Sequence, residues 1–342
     1  MQAAHMDDGT LHIADVPVPR PGPDQALVRL TASGVCHSDL HLARGDWIGV
    51  PARGPLGHEG IGIVEALGPG AQRFVAVGDR VILGLGGAGG DYWCGACEYC
   101  LGGEPRLCNQ SQALMGTFAE YVAAFAPGLV TLPETIADHE APLACGGLTA
   151  YGAVKKLIDH HVMPGRTIAI IGAAGGLGHY AVQIARAFGY RVVGIDVGAE
   201  RLAFVTSLGA AVALEADQAL EVVMRDFGGV DASLIFSAQM SGFQLGFDLL
   251  RKGGLFVGVA LPATSEGNIQ INPFAFFAKG ATLVYSAVGT VADMRDLVAL
   301  VADGKVTTHV GREGPLSALD SILDELQAGA YLGRAVLTDL RG

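Results

Sequence analysis

"TIAIIGAAGGLGHYAVQIARAFGYRVVGIDVG", residues 167–198, decides how this chain folds. A short apolar run, Ile168 to Ile171, meets the glycine-rich turn GAAGGLG. A helical pattern follows, with Ala181, Ile184, Ala185 and Phe188 as its apolar face, and a second apolar run from Arg191 to Ile195 ends at Asp196. Strand, turn, helix and strand in this order form the setting that a dinucleotide-binding unit requires. Gly172, Gly175 and Gly178 allow the tight turn and the close approach of a pyrophosphate to a helix N-terminus, with Gly176 in the same turn. In a chain with 50 glycines the competing reading is a structural turn alone. The flanking strands, and an acid at the end of the second one, favour the cofactor. A carboxylate at Asp196 would accept hydrogen bonds from the ribose hydroxyls of NAD and repel the 2′-phosphate of NADP, so NAD is predicted. Arg201, just beyond it, is the group that could still accommodate that phosphate.

Downstream, "VDASLIF" (230–236) and "GGLFVGVAL" (253–261) read as further buried strands, and "MSGFQLGFDLLRKG" (240–253) as a helix between them. Parallel strands alternating with helices predict a doubly wound α/β domain. Upstream the chain changes character. "ALVRLTASG" (26–34) has the β-leaning composition of a strand ending at a turn, and "CGACEYCLGGEPRLC" (94–108) holds four of the six cysteines. Cys94, Cys97, Cys100 and Cys108 follow the spacing Cys-x2-Cys-x2-Cys-x7-Cys, which one short loop can wrap into a closed, all-thiolate tetrahedral Zn²⁺ site. A disulfide-stapled loop, an iron–sulfur site and unpaired thiols are the alternatives. Four thiolates leave no position for substrate, so any chemistry lies elsewhere.

"GVCHSDLH" (34–41) brings Cys36, His37, Ser38, Asp39 and His41 together, "GPLGHEGIGIVEALG" (54–68) adds His58 and Glu59, and "APLACGGLTAYGA" adds Cys145. A Cys-His pair in a loop is by itself ordinary. Taken together, Cys36, His58 and Cys145 make a Cys2His set, a ligand composition found in catalytic zinc sites with one open position.

Length and composition bound these readings. The chain has 342 residues, half of them hydrophobic and 16% charged, and is expected to form two domains of a soluble globular protein. With a formal net charge of −12 and only 22 scattered Lys and Arg, it lacks the basic clusters that a nucleic-acid ligand demands. The opening residues have no signal-peptide pattern, and no apolar run approaches the roughly 18 residues of a membrane span, so a cytoplasmic location is expected.

In their order along the chain these motifs, with "VGDRV", resemble the medium-chain zinc-dependent alcohol dehydrogenases, most closely the tetrameric NAD-linked branch. The resemblance covers essentially the whole chain. It implies a GroES-like β-rich catalytic domain at residues 1–146 and 288–342, carrying a structural-zinc lobe at 94–108, and a Rossmann domain at 147–287. It implies two Zn²⁺ per subunit, the catalytic one on Cys36, His58 and Cys145 and the structural one on the four clustered cysteines. Glu59 matches a carboxylate near the catalytic zinc, and Asp39 one that orients the ligating histidine; neither is expected as a primary ligand. Ser38 and His41 match a relay carrying the alcohol proton through the nicotinamide ribose to solvent. Thr149 and Leu177 match positions lining the nicotinamide ring, and with His37 they join the glycine-rich turn, Asp196 and Arg201 in the cofactor set. The implied reaction is hydride transfer between a small alcohol and NAD, interconverting alcohol with aldehyde or ketone. Zinc would bring the pKa of a bound hydroxyl from about 16 towards about 7. A homotetramer is implied, with a dimer next.

Departures from the family pattern bear on the substrate. Leu85, among the glycines of "VILGLGGAGG", and Ala287 stand where larger residues are common, which enlarges the pocket, while Trp47 at its rim acts the other way. Bulkier primary, secondary or aromatic alcohols are therefore expected over ethanol. Val291 stands where many relatives have an Arg near the cofactor phosphates. Two rival readings are a zinc-independent quinone or enoyl reductase of the same superfamily, and a catalytically silent, zinc-stabilised binding protein.

Overall fold

The computed structural model describes residues 1–7, 9–47, 54–83, 90–113 and 115–341. The chain divides into two compact units, Met1–Leu148 with Val288–Gly342, and Thr149–Ala287.

The first unit opens with strands β1 (Gln2–Asp7), β2 (Thr10–Asp15) and β3 (Gln25–Val35), followed by helix α1 (His37–Arg44) and strands β4 (Gly54–Pro55), β5 (Gly60–Leu67) and β6 (Arg80–Leu83). A small lobe comes next, in which β7 (Gly90–Tyr92) and β8 (Gln112–Ala113) pair on either side of α2 (Glu98–Leu101). β9 (Tyr121–Phe125) and β10 (Leu129–Thr131) then lead to α3 (Gly146–Asp159), which crosses the division between the units. Strand β3 explains where the site lies. Ala26, Val28, Leu30 and Ala32 alternate inward as period-2 geometry demands, but from Ala32 onward both faces are buried. The strand therefore delivers Cys36 into the interior of its unit.

In the second unit β11 (Thr167–Ile171), α4 (Gly178–Ala187), β12 (Arg191–Asp196), α5 (Ala199–Ser207), β13 (Val212–Glu215), α6 (Ala216–Phe227), β14 (Val230–Ile235), α7 (Met240–Asp248), β15 (Leu250–Gly258), α8 (Pro273–Lys279) and β16 (Thr282–Tyr285) succeed one another. All six strands are parallel, in the order β13-β12-β11-β14-β15-β16. Order reverses between β11 and β14, and ligands of such sheets bind beyond the carboxyl ends of the strands at that reversal. The apolar run of β11 follows from burial of both faces, as parallel sheets require, and β14 is buried along its whole length although it carries Asp231 and Ser233. Gly178 is obligatory at the turn, because a Cβ there would lie 2.0 Å from the Gly172 carbonyl oxygen.

One boundary differs from the sequence reading. The helix expected over 240–253 stops at Asp248, and Leu250–Lys252 already belong to β15. Lys279 is the cause: its Nζ donates to the carbonyls of Phe247, Asp248 and Leu250, each at 2.8 Å, satisfying acceptors that the helix end leaves open.

The chain returns to the first unit with α9 (Val291–Ala302), β17 (Val310–Pro315), α10 (Leu319–Gln327) and β18 (Arg334–Asp339). Here β10-β6-β5-β3-β18-β17 form one sheet, with β9 also on β3, and β2-β1-β4 form a smaller one. The α/β fold class read from the sequence is borne out, with a β-rich unit and a doubly wound parallel sheet. Among the described residues no helix is long and apolar enough to cross a membrane.

Candidate metal centre and active site

Cys36 is the residue preceding α1, where the extended backbone of β3 turns into the helix (φ −118°, ψ 156°). The turn expected there is thus the start of a helix. Asp39 in its first turn is fully buried and holds two things at once: its Oδ2 accepts the Cys36 N–H at 2.9 Å, and its Oδ1 accepts His58 Nδ1–H at 2.9 Å. With Nδ1 so engaged, the lone pair of His58 is left at Nε2. Burial opposes charge on His58, yet the carboxylate of Asp39 and its hydrogen bond outweigh that and raise the imidazole pKa well above its ordinary value.

Cys145 closes the group from the residue before α3, at the end of a 3-10 turn over Asp138–Ala144. Cys36, His58, Glu59 and Cys145 are all buried, and each offers a ligand atom within 4.8 Å of the others. The thiol of Cys145 shares its hydrogen with Cys36, which holds Cys36 well below the ordinary thiol range and raises Cys145 well above it. Two sulfurs and one imidazole nitrogen, buried and converging, form a donor set suited to Zn²⁺, whose binding would displace that shared proton.

Glu59 sits at the same focus with both oxygens occupied. Oε1 accepts the Gly146 N–H at 3.2 Å, and Oε2 pairs with the guanidinium of Arg334, itself only 3% exposed. Burial pushes the Glu59 carboxyl up to about 7 against the pull of Arg334. Space for this carboxylate is made by Gly34, where a Cβ would lie 2.2 Å from Oε2. Thr117 and Ser33 pin the turn below it: the Glu59 N–H donates to Thr117 Oγ1 at 3.1 Å, and Ser33 Oγ donates to the Glu59 carbonyl at 2.8 Å.

In α1, His37 is exposed, Ser38 half-buried, and His41 half-buried with Nδ1 2.7 Å from Asp46 Oδ2. Trp47 lies beside it, with ring centroids 5.1 Å apart. The second cysteine group is separate. Cys94, Cys97, Cys100 and Cys108 also bring their sulfurs within 4.8 Å of one another. Backbone N–H groups lower three of these thiols, from Ala96 and Cys97 onto Cys94, from Cys100 onto Cys97 and from Cys94 and Gln110 onto Cys108, while desolvation pushes Cys100 up to about 12. An ion held by all four sulfurs would have no position left for a substrate.

In the second unit the glycine-rich turn spans Gly172–Leu177 and Gly178 starts α4. Asp196, at the end of β12, accepts the Ala174 N–H at Oδ2 (2.7 Å) and the Val197 N–H at Oδ1 (2.9 Å), with Arg201 4.0 Å from Oδ1. The acid is thereby fixed against the turn it serves. Thr149 is buried at the start of this unit, Ala287 is exposed, and Val291 is the first residue of α9. Leu85 lies outside the described residues.

Residues 22–134 match the family model of the alcohol dehydrogenase GroES-like domain, and residues 176–303 that of the zinc-binding dehydrogenases. An alcohol dehydrogenase of Geobacillus stearothermophilus is 37% identical over 340 residues, covering 96% of each chain. The chain belongs to the zinc-binding alcohol dehydrogenase family. A Moraxella alcohol dehydrogenase is 36% identical over 98% of this chain and 99% of its own. Among solved structures, the alcohol dehydrogenase of the archaeon Aeropyrum pernix superimposes with a TM-score of 0.88 at 31% identity, covering 98% of this chain and 99% of its own. A structure described as an NAD-dependent alcohol dehydrogenase gives 0.87 at 29% identity, covering 98% and 99%. The family resemblance read from the motifs is borne out.

For a member of this family, the sequence reading missed three partners of the site: Arg334, Thr117 and Asp46. Arg334 left one signal, a lone cation opening the otherwise apolar segment "RAVL". Thr117 left none, being a small polar residue whose value lies in a contact 58 residues away in sequence.

Proposed function

We propose that this protein is an NAD-dependent zinc alcohol dehydrogenase that interconverts small alcohols with aldehydes or ketones and carries two Zn²⁺ per subunit. The observation that carries this reading is the buried convergence of Cys36, His58 and Cys145, with Asp39 aiming the ring of His58. When bound there, zinc supplies Lewis acidity to the substrate oxygen, and NAD supplies the hydride acceptor.

The chain's own residues do the rest. Cys36 and Cys145 give two thiolates and His58 one neutral nitrogen, a set that leaves one position for the substrate oxygen. Glu59 and Arg334 add a neutralising pair beneath them, and Ser38 and His41 move the hydroxyl proton outward. Gly172, Gly175, Gly176 and Gly178 cradle the pyrophosphate at the N-terminus of α4, Leu177 lines the nicotinamide, and Asp196 takes the adenosine ribose and favours NAD, with Arg201 beside it. His37 and Thr149 complete that set. Cys94, Cys97, Cys100 and Cys108 enclose the second, structural zinc.

The catalytic domain of this reading is residues 1–146 with 288–342, and the cofactor domain 147–287. By the family resemblance, Leu85 and Ala287 stand in place of larger residues, so bulky or aromatic alcohols are the substrates expected, with Trp47 acting the other way. The assembly is a cytoplasmic homotetramer. Two assays test the reading together: zinc content per subunit, and NAD⁺ reduction across ethanol, benzyl alcohol and cyclohexanol with NADP⁺ in parallel. Two zincs and turnover with NAD⁺ are expected. One zinc without turnover would indicate a silent scaffold, and no zinc with NADPH-linked turnover a zinc-independent reductase. A higher kcat/KM for ethanol than for benzyl alcohol would overturn the substrate preference alone.

A further inference from the structure

Helix α1 ends in a left-handed cap. Gly45 adopts φ 69°, its N–H bonds the Leu42 carbonyl at 3.3 Å, and the chain doubles back so that the Asp46 N–H bonds the His41 carbonyl at 3.0 Å. The same reversal puts Asp46 Oδ2 2.7 Å from His41 Nδ1. Backbone and side chain of Asp46 thus both engage His41. The imidazole is otherwise enclosed: its side chain is 12% exposed, that of Asp46 34%, and the Trp47 ring lies 5.1 Å from it at 38°.

A carboxylate can only accept, so the proton of the neutral ring is on Nδ1 and the lone pair on Nε2. An unrestrained imidazole prefers the opposite tautomer, so the aspartate does chemical work as well as capping the helix. Other charged or titratable groups of α1 and of α10 are placed differently. The His37 ring is 6.2 Å from that of His41, Asp39 is committed to Cys36 and His58, and Arg44 pairs with Asp324 of α10.

We propose that Asp46 is the positioning residue of the proton-exit imidazole, holding His41 in the Nδ1–H form with Nε2 as the receiving base. The catalytic half of this rests on the dehydrogenase reading above. The substrate hydroxyl gives its proton to Ser38 as the Ser38 proton moves on, and His41 Nε2 takes up one proton to become imidazolium. Asp46 keeps its hydrogen bond to Nδ1, and water then removes the proton from Nε2. No electron changes hands in this sequence; the hydride leaves separately to NAD⁺.

The first test needs no activity. Nitrogen-15 NMR of the imidazoles, with the His41 signals identified by their loss in His41→Gln, is expected to show Nδ1–H for the zinc-loaded protein and Nε2–H in Asp46→Ala. A wild-type His41 protonated at Nε2 alone would overturn the proposal whether or not the protein is a dehydrogenase. The second test is alcohol oxidation with NAD⁺ from pH 5.5 to 9.5. Asp46→Asn is expected to lower kcat about tenfold, since the ring loses the charged acceptor that orients it. NADH affinity should stay within about twofold, and in His41→Gln the Asp46→Asn change should have no further effect. Equal, additive losses in the two backgrounds would reduce Asp46 to a helix cap. Absence of turnover in the wild type would defeat the dehydrogenase reading instead, and the NMR result would then stand by itself.

Discussion

Replacing Glu59 by Gln is expected to stabilise the metal-free protein, by an amount that grows with pH. Burial carries the Glu59 carboxyl from its ordinary value of 4.5 to about 7, even with Arg334 pulling it down. Below about pH 4.5 the group is neutral in both the folded and unfolded chain and contributes nothing. Between 4.5 and 7 the unfolded chain releases the proton while the folded one keeps it, so stability falls as pH rises, at about 1.4 kcal/mol per pH unit. Above pH 7 the loss is complete, at about 3 kcal/mol. Glutamine has no such loss. The opposing expectation is that breaking a buried ion pair costs about 3–5 kcal/mol. Here the attraction of Arg334 is already contained in the value of about 7, and burial still exceeds it. Urea unfolding of EDTA-treated wild type and Glu59→Gln at pH 5, 6, 7 and 8 checks this. The two should differ by less than about 1 kcal/mol at pH 5 and separate by about 3 kcal/mol at pH 8, the variant being the more stable. A variant less stable by the same amount at every pH would show that Glu59 is ionised throughout and that its pair with Arg334 is net favourable. With zinc present the cation favours the carboxylate, so the advantage should contract.

Cys36→Ala should lower zinc from two to one per subunit and abolish turnover while leaving NADH binding within about twofold, as metal analysis and fluorescence titration would show. Cys97→Ser should also lose one zinc but retain measurable turnover at 25 °C, its defect appearing as a lower unfolding temperature. Asp196→Ala should raise kcat/KM for NADP⁺ relative to NAD⁺ about tenfold, because it removes the repelling carboxylate beside Arg201, 4.0 Å away. Lys279→Met should cost about 1–2 kcal/mol in urea unfolding, since three carbonyls at the end of α7 lose a charged donor that is itself partly solvated; an unchanged midpoint would mean that water replaces it freely.

Local pattern carried much of the fold. In residues 167–198 the strand, turn and helix signals are contiguous and each is enforced by its own residues, so β11, α4 and β12 fall close to the expected positions. Where structure depends on a distant side chain, the sequence is mute. The end of α7 is decided by Lys279, 29 to 32 residues further on, and a periodicity reading of 240–253 runs past it. Likewise, "GVCHSDLH" contains the start of α1, but its helical character depends on an aspartate that turns back to the Cys36 N–H, a contact that composition alone does not signal.

At the site the same division separates ligands from their supports. Cysteine and histidine are scarce and chemically distinctive, so Cys36, His58 and Cys145 can be picked out even though they are spread over more than a hundred residues. Their supports are ordinary residues made special by burial. Arg334 is one of many arginines until β18 pairs with the end of β3, placing its guanidinium against a carboxylate 275 residues away. Gly34 is one of 50 glycines until that carboxylate passes 2.2 Å from where its Cβ would be. Each is dictated by the other: without Gly34 the carboxylate has no room, and without Arg334 it has no counter-ion in a place where its charge is already disfavoured. The ligands could be read singly because metal chemistry narrows the residue types. The supports form a set, legible only once β3, β5 and β18 lie side by side and bring them to one point.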